Sequence, residues 1–186
     1  CYFWMKFNKK NFFLYLNNKL FFENNPIIAV AVSGGPDSMA LIYLMKEWIK
    51  FKKGKIVALL IDHKLRAESY NECKKTKNYL KTLNVNSKII TVSAKKIYKK
   101  NMYEARQNRY DKLIGFCKNK NILHLFLGHH FDDNLETFLI RKVAGSNFEG
   151  LASMPFRIIR NKVQLIRPLL NYKKNQIIKF NKANKI

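Results

Sequence analysis

Residues 27–32 read Ile-Ile-Ala-Val-Ala-Val, an unbroken apolar run of strand length, and residues 39–51 follow with apolar positions at helical spacing. The same alternation continues down the chain. Residues 55–61 and 87–92 are short β-rich runs, 69–83 and 102–120 are amphipathic helical stretches, 124–127 is a fourth strand, and 131–143 another helix. Strands that are apolar on both faces and alternate with helices predict an α/β fold, a doubly wound and mostly parallel sheet with helices on both sides. In the helix at 131–143, Phe131, Leu135, Phe138 and Leu139 are the expected buried stripe.

Outside this core the signal is weaker. Residues 1–22 are rich in Phe, Leu and Tyr but interrupted by Lys6, Lys9, Lys10 and Lys19, which suits a packing helix. They lack both the roughly 20 apolar residues of a membrane span and the form of a secretion signal, so no membrane association is expected. After Gly145, residues 150–155 read as a loop, 163–166 as a short strand and 173–182 as a final amphipathic helix. The expected division is a helical lead-in at 1–25, a catalytic domain at 26–170, and at 171–186 the start of a further helical region. A chain that opens on Cys1 and ends at Ile186 without tail-like composition is expected to be a piece of a longer protein.

Charge adds a candidate partner. The 186 residues hold 36 Lys and Arg against 12 Asp and Glu, a formal charge of +24, which favours a polyanion because each neutralised phosphate releases counterions. Much of the excess is Lys among abundant Asn, Ile and Phe, a bias that an AT-rich genome produces without any binding function. The three cysteines, Cys1, Cys73 and Cys117, are far apart and odd in number, so neither a disulfide framework nor a metal cluster is indicated. A reducing cytoplasm, or an organellar stroma or matrix, is the expected location, and Cys73 and Cys117 sit at helical spacings that make them core side chains.

Chemistry concentrates where strands give way to helices. Ser33-Gly34-Gly35-Pro36-Asp37-Ser38 lies between the first strand and its helix. There a helix N-terminus offers free N–H groups to an anion, glycines admit close approach, and hydroxyls add donors. Pro36 suits the first helical turn. A bare Gly-Gly turn would only reverse the chain; two serines and an aspartate in this context point to phosphate binding. Asp37 beside phosphates calls for a bridging cation. At the end of the fourth strand, Gly128-His129-His130-Phe131-Asp132-Asp133-Asn134-Leu135-Glu136-Thr137 groups three carboxylates on one helical face. A divalent cation or a cationic substrate would relieve their repulsion, although acidic residues also favour helix starts for structural reasons. Asp62 and His63, at the end of the second strand, are placed beside the nucleotide site, while Arg106, Arg109 and Tyr110 are weaker candidates.

The hexapeptide lacks the G-x-x-x-x-G-K-[ST] pattern and resembles the SGG-x-DS signature of the PP-loop ATP pyrophosphatases. With AVSGGPDSMAL, DHKLRAES, ARQNRY, GHHFDDNLETFL, GLASMP and IRPLL in this order, the chain is similar to the catalytic domain of the tRNA(Ile)-lysidine synthetase family over about 27–178. That resemblance implies a PP-loop fold and an ATP-dependent ligase. ATP would adenylate the wobble cytidine of tRNA(Ile) bearing a CAU anticodon, and free L-lysine would displace AMP to form lysidine. It implies that Ser33, Gly34, Gly35, Pro36, Asp37 and Ser38, with Asp62 and His63, bind ATP. It also implies that Asp37 and Asp133 hold Mg2+, that Asp37, Asp133, Glu136, His129 and Arg109 are catalytic, and that a homodimer can form. The family usually has a glutamate where this chain has Met102, and Glu104 is given no role.

Two other readings compete. A PP-loop tRNA thiolase shares the loop and the charge, but such enzymes usually carry CxxC pairs, and none is present. A basic RNA-binding module with a non-catalytic nucleotide pocket would bind RNA without ATP-dependent chemistry.

Overall fold

A computed structural model describes residues 6–62, 69–91, 102–145 and 153–186, excepting the side chains of 102–105. His63 falls outside these residues, as do Lys64, Leu65, Arg66, Cys1 and the lysine pairs between 95 and 100. Helix α1 (Lys9–Lys19) precedes β1 (Ile27–Val32), α2 (Pro36–Phe51), β2 (Lys55–Asp62), α3 (Ser69–Thr82) and β3 (Asn86–Thr91). Then come α4 (Met102–Asn119), β4 (His124–Phe126), α5 (Phe131–Val143), β5 (Arg157–Arg160), β6 (Val163–Ile166) and α6 (Lys174–Asn184).

The six strands lie in the order β3-β2-β1-β4-β6-β5, all parallel except the β5–β6 pair. From β1 the chain steps outward through α2 and α3, then returns through α4 to β4 on the other side of β1. Right-handed crossovers made in opposite directions place their helices on opposite faces. The two cores follow this rule. Leu41, Trp48 and Leu80 from α2 and α3 pack on one face with Phe12 and Leu16 of α1 and Ile177 and Phe180 of α6. Tyr110, Leu113 and Cys117 of α4 pack with Leu59, Leu125 and Leu165 on the other. Each fully buried large apolar side chain contributes about 1.5–3 kcal/mol, and the helical spacing of Leu41, Leu44, Met45 and Trp48 commits a whole face of α2 to that burial.

One strand is added to those expected from the sequence, and one expectation is corrected. β5 escapes the pattern because Arg157-Ile158-Ile159-Arg160 is short and bounded by charge, and its turn to β6 is disguised. Asn161 and Lys162 both have positive φ, 50° and 67°, as a tight antiparallel hairpin needs, but Lys stands where Gly is usual. The stripe on α5 is not buried: Leu135 is 46% and Leu139 50% exposed, with Ile140 and Val143 more so. Periodicity identifies an apolar face without supplying anything to cover it. Helix α5 is anchored through its polar first turn instead, where Phe131 N–H donates to Tyr172 O, Asp132 Oδ2 accepts from Lys174 N–H and Asn134 Oδ1 accepts from Met154 N–H.

Candidate active site

β1 and β4 are neighbours from which the strand order runs both ways, so their carboxyl ends form the switch point at which open α/β sheets bind ligands. The Ser33–Ser38 turn leaves β1 there and the Gly128–Asp133 segment leaves β4.

The turn is tied internally by its serines. Ser33 N–H donates to Ser38 Oγ at 3.2 Å, the two hydroxyls are 3.2 Å apart, and Ser38 Oγ–H donates to Gly35 O at 2.9 Å. Gly34 has φ +84°, and a Cβ there would stand 2.7 Å from Thr76 Oγ1, so backbone conformation and space both require glycine. Helix α2 begins at Gly35 with Pro36 in its first turn and no side-chain cap. First-turn donors that a capping side chain would occupy are therefore left for a ligand, with the helix dipole favouring an anion. Gly128 lets β4 press against this start: a Cβ would lie 3.3 Å from Ser38 N. From behind, Asn181 of α6 donates to Pro36 O at 2.8 Å.

His130 links the two segments. It is the N-cap of α5, where its Nδ1 accepts the Asp133 N–H at 3.3 Å while Asp133 Oδ2 accepts the His130 N–H at 2.8 Å. The other ring nitrogen, Nε2, lies 3.7 Å from Asp37 Oδ2. The His130 side chain is 5% exposed, so Asp37 and Asp133 are connected through a buried imidazole rather than directly. Asp37 Oδ1 is buried without a hydrogen-bond partner.

A cleft of ≈ 340 Å³ opens beside Asp37, its walls including Ala31, Val32, Leu59 and Leu113, its polar lining including Ser33, Asp37, Ser38, Glu72, Arg109 and His129; His130 and Asp133 are not among its lining residues. His129 Nε2 lies 3.4 Å from the Tyr110 hydroxyl. Burial, followed by the positive charge of Arg167, Arg106 and Arg109, pushes the His129 imidazole down to about 3, so it is neutral at physiological pH. Burial works to raise the Tyr110 phenol, but Arg106, Arg109 and Arg167 outweigh it and the net shift is downward.

Of the residues expected at the site, Ser33, Asp37, Ser38, Arg109 and His129 thus line one cleft, with Gly34, Gly35 and Pro36 forming its turn. Gly34 and Pro36 also line a second cavity beside Thr76 and Asn181. Asp62 is buried at the end of β2 and is not among the cleft-lining residues, and Glu136 is exposed farther along α5. The sequence reading assigned no role to His130, Glu72 or Arg167. His130 carried a signal, a histidine immediately before an acidic helix start, whereas Glu72 enters the cleft only because α3 packs over β2 and β3 with its first turn at the edge of the cleft.

For a metal, among the described residues no group of three His, Cys, Asp or Glu side chains forms a cage. Mg2+ usually takes one or two carboxylates and completes its shell with phosphate oxygens and water. Asp37, with an unpartnered buried oxygen at the uncapped start of α2, fits that need. Asp133 has one oxygen engaged in its cap and stands on the other side of His130.

The sequence pattern of a PP-loop domain matches residues 6–186. The chain is 39% identical over 173 residues to a tRNA(Ile)-lysidine synthase from Wolbachia pipientis wMel, covering 92% of this chain and 40% of that protein. It is 41% identical over 163 residues to one from Orientia tsutsugamushi, covering 86% and 36%. The chain thus spans well under half the length of these relatives. Among solved structures, the U34-tRNA thiolase NcsA from Methanococcus maripaludis, with its [4Fe-4S] cluster, superposes with a TM-score of 0.78 at 17% identity over 95% of this chain and 64% of that one. That likeness concerns the fold alone. With its glycine-serine turn at the switch point of a parallel sheet and the family pattern running from residue 6 to the last residue, this chain belongs to the PP-loop domain family.

Proposed function

We propose that this chain is the nucleotide-binding catalytic part of a tRNA(Ile)-lysidine synthase, working in the cytoplasm or an equivalent organellar compartment on ATP, free L-lysine and tRNA(Ile) with a CAU anticodon. The observation that carries this reading is the identity of 39–41% with proteins named as that enzyme, which extends over the uncapped α2 start, Asp37 and the His130-capped α5.

The division of labour follows from the residues. The β- and γ-phosphates of ATP rest on the first turn of α2 and on Ser33 and Ser38. Asp37 is the residue that would hold an accompanying Mg2+, which would offset phosphate charge and make pyrophosphate a better leaving group. The cytidine C2 oxygen attacks the α-phosphorus and the bond to pyrophosphate breaks. The lysine ε-amine then attacks C2, the C2–O bond breaks, and AMP leaves with that oxygen. Arg109 balances negative charge in the cleft. Neutral His129 is a hydrogen-bonding group there rather than a cation. Asp133 and Glu136 favour the lysine ammonium and accept the proton that the amine must lose.

The test is ATP- and magnesium-dependent incorporation of labelled lysine into tRNA(Ile) bearing CAU, by the protein containing this chain and by an Asp133→Asn variant. Incorporation that falls in the variant is expected. None by the unaltered protein would sink the reading and favour an RNA binder with a silent pocket. A thiolase reading gains nothing from the cysteines. Cys73 does line the cleft, but its thiol donates to Ile61 O at 3.6 Å and burial, with the charges of Asp62 and Glu72, pushes its pKa up, away from the thiolate that sulfur transfer needs. Cys117 is buried in the core of the α4 face.

A further inference from the structure

Four arginines converge beside the cleft on the α4 face of the sheet. Arg106 and Arg109, one helical turn apart, flank the Tyr110 ring at 5.9 and 5.4 Å from its centroid. Arg160 reaches across from β5 and donates through Nη1 to Gln107 Oε1 of α4 at 3.2 Å. Arg167 follows β6, is 6% exposed, and donates through Nη1 to Pro155 O at 2.9 Å, while its Nε is buried without a partner.

These guanidinium groups act on one another. After burial, the charges of Arg106 and Arg160 press the Arg167 pKa down, against the upward pull of Tyr110. Among the described residues no carboxylate forms an ion pair with Arg106, Arg109, Arg160 or Arg167. Edge strands often carry charge simply to deter pairing with other chains, which would account for Arg157 and Arg160. It does not account for a nearly buried Arg167 with an open donor, nor for several like charges gathered without compensation. An anion supplies that compensation, and a guanidinium fork matches phosphate geometry.

We propose that Arg106, Arg160 and Arg167 seat a backbone phosphate of RNA at the rim of the cleft, holding the strand whose base enters it. This rests on the RNA-modifying reading above and deepens it. The phosphates of ATP are not the occupant: α2 and its turn supply their seat, and of the four arginines only Arg109 lines that cleft.

The probe is a fluorescent anticodon stem-loop RNA with a CAU loop, bound by the protein containing this chain across a series of salt concentrations. Arg106→Gln and Arg160→Gln are compared singly and together, beside a Lys50→Gln/Lys52→Gln control at the end of α2, on the opposite face of the sheet. Each seat contact removed is expected to reduce the slope of log affinity against log salt by about 0.7, hence about 1.4 for the pair. ATP affinity measured without RNA is expected to stay unchanged. Arg160 lies exposed on the sheet edge, so its loss does not threaten the fold. A slope shift no larger than the control's overturns the seat and leaves the RNA reading standing. Loss of ATP affinity with an intact RNA slope assigns the arginines to the nucleotide and also overturns it. Absence of RNA binding by the unaltered protein at any salt removes both the seat and the reading beneath it.

Discussion

The Nε2 of His130 lies 3.7 Å from Asp37 Oδ2 while its Nδ1 caps the helix that carries Asp133. One buried ring therefore aligns the Ser33–Ser38 turn with the acidic helix. Its two functions can be separated. His130→Asn retains a good N-cap residue, so stability should hold, whereas His130→Ala should cost about 1 kcal/mol in urea denaturation. Both remove the imidazole facing Asp37, and the lysine incorporation proposed above, assayed with the protein containing this chain, is expected to fall about 10–100-fold in each. Full activity in the Asn variant would mean that His130 serves only as a cap.

Gly34 combines a left-handed backbone with a tight neighbour. Gly34→Ala is expected to destabilise the fold by about 1–2 kcal/mol from conformation alone, with an additional loss from the contact with Thr76 Oγ1. Adding Thr76→Ala should recover only the second part. Calorimetric unfolding of the single and double variants separates them, and complete recovery would contradict a role for φ.

The depressed pKa of His129 makes stability depend on pH. Because the unfolded chain takes up a proton near pH 6.5 that the folded chain refuses until about 3, stability is fully present above the unfolded value and declines as pH falls between the two. His129→Gln should flatten this decline. Urea midpoints at pH 7.5 and 5 test it, and equal declines in both proteins would argue against a buried neutral imidazole.

Helix α5 gives a prediction opposite to that of its sequence pattern. A buried Leu139 would cost about 2–5 kcal/mol on truncation to alanine. Since it is half exposed, Leu139→Ala and Val143→Ala are expected to stay within about 0.5 kcal/mol of the unaltered protein. A loss above 2 kcal/mol would show that another surface covers this face.

At the amino ends of the strands, His124 is 2% exposed and its Nε2 lies 2.7 Å from Glu23 Oε2. Glu23→Ala leaves that nitrogen buried without its partner and is expected to cost about 1–3 kcal/mol. A Glu23→Ala/His124→Phe pair should restore much of it, as thermal unfolding of the three variants would show.

The sequence by itself determined the α/β class, the strands around β1 and the glycine-serine turn that follows it, because these depend on local facts. An unbroken apolar run such as Ile27–Val32 suits a strand covered on both faces, and Ser33 to Ser38 carries its glycines and hydroxyls within six residues. Tertiary structure decided what depends on which surfaces meet. Crossover handedness set α4 against α2 and placed β4 beside β1, and that adjacency brought His130 to Asp37. Packing left the apolar stripe of α5 uncovered although its period promised burial. A hairpin turning through Asn161 and Lys162 carried Arg160 to α4. Arginines at positions 106, 160 and 167 are distant in sequence and become one cationic cluster only when β5, β6 and α4 share a face, because Coulomb interaction depends on separation in space.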